Sequence, residues 1–170
     1  MLPKSYIIKK WIVYALATLA LFALQHLVFN NICVLGVTAF FYPIIPALVA
    51  SYEGLRRGSV FALVVGIVCD LLVFGPFDGF FTVIFALIGI FSALISENLF
   101  SPGWLCGLVV SLLGLGLTLA ARLALFLLAG EFRPLLMVPM ALIECAISLP
   151  AMFAALPLYD HIHRHCAADY

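Results

Sequence analysis

Asp70, Arg122 and Glu144 are ionisable residues inside long apolar runs of a 170-residue chain, and His26 stands near the end of the first such run. A charge at membrane depth costs roughly 2.5–3.5 kcal/mol on insertion scales, so each needs a structural or functional reason. Three kinds of chemistry are open to such a set. Arg122 can be shared by Asp70 and Glu144 in an ion-paired network that fixes helix register. It can be the anion-binding group of a polar pocket open to the outside. Glu144 can carry a proton relay. The network is the expected reading, and it makes Asp70 structural rather than catalytic.

The surroundings of each charge support that choice. Gly58, Ala62, Gly66 and Asp70 fall on one i, i+4 ridge. Gly107, Ser111, Gly114, Thr118 and Arg122 follow one helical face, and so do Ala141, Glu144, Ser148, Ala151 and Ala155. Small residues at this spacing mark close helix contact in membranes, so each charge lies on a packing face and not on a lipid face. By the rise per residue, Asp70 lies about 7 Å below its helix end, Arg122 about 12 Å and Glu144 about 15 Å. Only Asp70 is shallow enough for its helix end to explain it.

The chain is 66% hydrophobic and 9% charged, against about 25% charged in soluble domains. Apolar runs of spanning length recur throughout, which predicts an all-α, polytopic membrane protein with one integral domain over residues 1–170. Six spans are expected, at about 11–29, 32–51, 59–74, 80–95, 104–129 and 135–159. The lipid bilayer is thus the first partner. The zero net charge and the lack of a basic block argue against nucleic acid. The basic start before the first run imitates a secretory signal, but the run is long and Gln25-His26 follows it, so an uncleaved helix is expected.

Pro43 and Pro46 remove backbone donors within the second expected span, which predicts a kink or unwinding near Tyr42–Pro46 that opens the helix for a partner or a ligand. Glu53, Arg56 and Arg57 form a short turn whose arginines would meet anionic headgroups or a docking partner. Lys4, Lys9, Lys10, Arg56, Arg57 and Arg164 fall on one side of the six-span arrangement and Arg133 on the other, so both termini are expected to be cytoplasmic. The histidines at 161, 163 and 165 read as a solvated tail, and the cysteines at 33, 69, 106, 145 and 166 as small buried hydrophobes. There is no H-E-x-x-H, G-x-S-x-G or phosphate-cradling glycine loop. Neither an enzyme nor a cofactor or metal site is expected.

One stretch resembles a known family. Tyr42-Pro43-x-x-Pro46-Ala47, then Glu53-Gly54, the glycine-spaced ridge, Asp70 and the Gly75-Pro76 to Gly79 turn are similar to the bacterial rod shape-determining protein MreD. The similarity covers about residues 40–92; beyond it the agreement is in hydropathy alone, so Arg122 and Glu144 have no counterpart in the family pattern. The resemblance implies a non-enzymatic component of the cell-elongation machinery in the bacterial cytoplasmic membrane. Such a protein binds the single-pass partner MreC and connects MreB filaments to the RodA–penicillin-binding-protein peptidoglycan synthase. The family is also similar in fold to the substrate-binding S components of energy-coupling-factor vitamin transporters. That similarity implies the alternative, a vitamin pocket open to the outside.

Overall fold

The structure, a computed structural model, describes residues 4–31, 33–34, 36–101, 103–130 and 134–168. The side chains of Lys4, Cys33, Arg133, His165 and Cys166 lie outside the described residues. Among the described residues, five helices account for nearly everything: α1 Lys4–Leu27, α2 Ile44–Leu72, α3 Phe80–Asn98, α4 Trp104–Leu128 and α5 Pro134–Ala168. A 3-10 turn, Phe29–Asn31, leads into a small antiparallel hairpin, β1 Cys33–Val34 and β2 Val37–Thr38, with Gly36 at φ 83 in its turn.

Among the described residues, four helices are long and apolar enough to cross a membrane, α1 over Ile8–Leu27, α3, α4, and α5 over Met137–Arg164, so the expected count of six spans is not confirmed. The second expected span, 32–51, is half hairpin. β-branched Val37 and Thr38 suit a strand, and helix begins only at Ile44, behind Pro43 at φ −64. Both prolines therefore lie at a helix start, where the missing N–H groups would have no intrahelical partner anyway. No mid-membrane kink results, and the helix runs unbroken past Pro46.

The break comes at Gly54, with φ 74 and ψ 180, a conformation essentially confined to glycine. There α2 folds into two arms, 44–53 and 55–72. The reversal is tight, because a Cβ on Gly58 would run into the backbone of Ala50. The first arm is buried from Ile44 to Tyr52 and forms the centre of the core, with Tyr14, Phe41, Phe81, Phe85, Ile88, Leu156 and Tyr159 around it. At about 15 Å it reaches only half-way through a bilayer core.

The small-residue ridges are contact faces. A Cβ on Gly66 would stand 2.6 Å from Thr82 Cα, and one on Gly89 2.6 Å from Ala62 Cβ, so α2 and α3 meet backbone to backbone. On α4, Ser111, Gly114 and Thr118 are buried, and a Cβ on Gly114 would lie 3.0 Å from the Pro43 carbonyl. On α5, Ser148, Ala151 and Ala155 are buried. The outer faces are apolar: Leu16, Leu19, Val60, Leu105, Leu112, Leu142 and Phe153 are all exposed, as expected of helices that face lipid rather than water.

Candidate functional site

Arg122 and Glu144 meet. The α4 guanidinium Nη1 donates to Glu144 Oε1 on α5 at 2.8 Å, with side chains 24% and 18% exposed. The Arg122 guanidinium also lies 4.2 Å from the Phe40 ring centre and 5.8 Å from that of Phe81. A cation over aromatic faces gains most where water is scarce. One turn beyond Glu144, Ser148 Oγ donates to the Glu144 carbonyl and accepts from Phe40 N–H. The same corner thus anchors the chain entering the central arm.

Asp70 is not the third member of this pair. It sits in the last turn of α2, and its carboxylate accepts from the N–H groups of Phe81 at 2.9 Å and Thr82 at 2.8 Å, and from the Thr82 hydroxyl at 2.5 Å. The residue at the start of α3 is Gly79, which has no side chain to cap its own helix. Asp70 supplies that cap from the preceding helix, and its charge meets the positive end of the α3 dipole. The expected Arg122 shared by two acids is therefore replaced by an ion pair and a separate helix cap. Asp70→Ala should destabilise the detergent-purified protein by about 1–2 kcal/mol. Asp70→Asn, which keeps an acceptor, should lose less, and thermal unfolding of the two variants checks the order.

His26 lies exposed in the last turn of α1. Its neighbour Gln25 does more for the fold: buried, it donates to the Ala39 carbonyl and accepts from Phe41 N–H, tying α1 to the strand-to-helix passage. Tyr42, Pro43 and Pro46 are all buried, and of the three Tyr42 borders a cleft beside Arg122. The Tyr42 hydroxyl is enclosed without a hydrogen-bond partner among the described residues.

Two clefts adjoin Arg122. One, of 660 Å³, lies between Phe74–Phe77 and Leu125, Phe126 and Ala129. The other, of 370 Å³, is walled by residues 36–40, Tyr42, Val73, Met140 and Glu144. Arg122 stands between the two, and such an ion pair can hold helices together or offer its guanidinium to an anion.

The opposite end of the molecule has a second ionic centre, which sequence reasoning missed. Glu53 closes the first arm of α2, and its side chain is only 4% exposed. Its Oε1 lies 2.5 Å from Lys10 Nζ, accepts from the Tyr14 hydroxyl at 3.0 Å, and stands 3.6 Å from His163 Nδ1. The His163 ring stacks on Tyr52 at 5.0 Å. The expected solvated tail is instead the end of α5, with Ile162 buried and Arg164 paired to Asp160 one turn earlier. Glu97 Oε1 takes Leu55 N–H at 2.9 Å and closes the turn from the α3 side, while Arg56 and Arg57 remain exposed. One signal for this centre was present. A carboxylate at a helix C-terminus opposes the dipole and so calls for cations.

Burial pushes the Glu53 carboxyl pKa up, but the His163 imidazole 3.6 Å away, the hydrogen bond from Tyr14 and the contact and charge of Lys10 outweigh that and hold it below its ordinary 4.5. A depressed carboxyl stabilises the fold fully above its unfolded pKa, and the contribution is lost as pH falls through the folded value. Stability of the detergent-solubilised protein should therefore fall with acid below about pH 4.5. Glu53→Gln should flatten that decline and lower stability at neutral pH. Unfolding followed by circular dichroism across pH checks both.

Compared with protein-family models, with curated proteins and with solved structures, the chain has no match.

Proposed function

We propose that this chain is a non-enzymatic, multi-pass scaffold of the bacterial cytoplasmic membrane, acting in cell elongation as the MreD resemblance implies. In that role it binds an MreC-like single-pass protein and, through it, joins MreB filaments to the RodA–penicillin-binding-protein peptidoglycan synthase. One observation carries the reading: the charge clusters enclosed between helices are spent on ties between those helices. Arg122–Glu144 joins α4 to α5, Asp70 caps α3 from α2, and Glu53 gathers α1, α2 and α5. What remains for outside partners is helix surface. Lys10, Arg56, Arg57 and Arg164 share one end of the molecule, which the excess of positive charge makes cytoplasmic.

The experiment is co-purification. With an affinity tag on this chain, an MreC-like coiled-coil protein co-expressed with it should be retained through gentle detergent extraction. No retention, with a vitamin carried through purification instead, overturns the scaffold.

A specific observation favours a second reading, the S component of a vitamin transporter. The 370 Å³ cleft brings Tyr42, Arg122 and Glu144 to one small space, and the Tyr42 hydroxyl has no partner among the described residues. Submicromolar binding of a vitamin, lost in Tyr42→Phe, would support it.

A further inference from the structure

Between α1 and the 55–72 arm of α2 runs a groove made of two adjoining hollows. The first, of 440 Å³, is lined by Trp11, Phe61 and Val64, with Arg56 and Arg57 among its walls. The second, of 220 Å³, shares Phe61 and Val64 with the first and reaches Phe22 and Val68. From Arg57 to Val68 the groove follows the helix for about 16 Å, close to the depth of one leaflet of a hydrocarbon core about 30 Å thick. Its walls are apolar along that length, and its charge stands at one end.

The arginines at that end are available. Both are exposed, and neither forms a hydrogen bond or ion pair with a described residue. The nearby acids are engaged: Glu53 holds Lys10 and Tyr14, and Glu97 holds the Leu55 N–H. A leaflet-deep apolar channel that ends in two unspent guanidinium groups has the layout of a lipid: a chain and an anionic head. Guanidinium groups take phosphate oxygens in pairs, and basic pockets between membrane helices recognise anionic headgroups. A phospholipid brings the apolar chain and the anion together in one molecule, in the layout that this groove presents.

We propose that this groove holds an acyl chain of an anionic phospholipid whose phosphate is bound by Arg56 and Arg57. The site does not depend on the scaffold reading, and its test involves no partner protein.

Trp11 lies in the groove and is one of two tryptophans in the chain. In a Trp104→Phe variant it becomes the sole reporter. The protein is reconstituted in phosphatidylcholine vesicles with increasing fractions of acyl-brominated phosphatidylglycerol or acyl-brominated phosphatidylcholine. Half-maximal quenching of Trp11 should need about tenfold less of the anionic lipid. Arg56→Gln with Arg57→Gln should abolish that preference while leaving quenching by the neutral lipid in place, which also shows that the groove is intact. Equal quenching by the two lipids, or a preference that survives the double substitution, overturns the proposal. So does an absence of quenching by either lipid, which would mean that a protein segment fills the groove.

Discussion

Arg122→Ala should reduce accumulation in the membrane to a small fraction of wild type and lower the stability of what remains by about 3 kcal/mol. Removing one partner of a largely buried pair leaves the other charge unpaired, at a cost of about 3–5 kcal/mol. The side chains here are about one-fifth exposed, which places the effect at the lower end. The guanidinium would also vacate its place over Phe40, 4.2 Å away. Arg122→Lys keeps the charge but not the planar fork or the stacking, and should fall between. Accumulation measured with a fused fluorescent reporter, together with thermal unfolding in detergent, gives the comparison. Wild-type accumulation of Arg122→Ala would remove the pair from the account of stability.

Gly66→Leu should prevent accumulation altogether. Even a Cβ at this position would stand 2.6 Å from Thr82 Cα and 2.8 Å from the Phe81 carbonyl, both backbone atoms with no rotamer to relieve the clash. The same two residues give their N–H groups to Asp70, so forcing α2 away from α3 would break the cap as well. Gly66→Ala, the smallest insertion, should cost about 1–3 kcal/mol. Gly116 provides the control, since a Cβ there meets nothing within 4 Å. Gly116→Ala should be neutral or stabilise by up to about 1 kcal/mol, because glycine is a poor helix former. Thermal unfolding of the three variants ranks them.

The parts of this architecture legible in the sequence are those with a periodic signal. Gly58, Ala62 and Gly66 announce a contact face by spacing alone; Ala62 and Gly66 meet α3, and Gly58 meets Ala50 of the first arm of α2. The runs that became α3 and α4 were legible by hydropathy to within about three residues at each end, the usual uncertainty of helix boundaries. The hairpin was not, because Val34, Val37 and Phe40 read as membrane helix when apolarity is counted without regard to β-branching. Pro43 and Pro46 were misread for a related reason. A proline pair means a kink within a helix and a start at its edge, and the edge was placed too early.

Side-chain partnerships were the hardest to read. Arg122 and Glu144 meet because α4 and α5 are neighbours that pack through matching ridges. Asp70 faces the N-terminus of α3, and a cap reached across a turn is invisible until the first residue of that helix is known. Glu53 was read as part of a surface turn because its neighbours are distant in the chain: Lys10 and Tyr14 on α1 and, as a third contact, His163 on α5. That contact exists only when the polar run after Tyr159 continues as helix over the turn.

The central proposal is that the charges enclosed between helices, Asp70, Glu53, Arg122 and Glu144, serve to hold helices together rather than to bind a ligand. Replacing both partners of a buried pair by apolar residues of similar size is often neutral or stabilising, whereas removing one is not. The double variant Arg122→Met with Glu144→Leu therefore separates the two roles. The account predicts that it accumulates and unfolds like wild type, far better than Arg122→Ala, and still co-purifies the MreC-like protein proposed as its partner. A double variant as stable as wild type that no longer supports the protein's function in the cell, or that has lost a bound small molecule present in wild type, would contradict it.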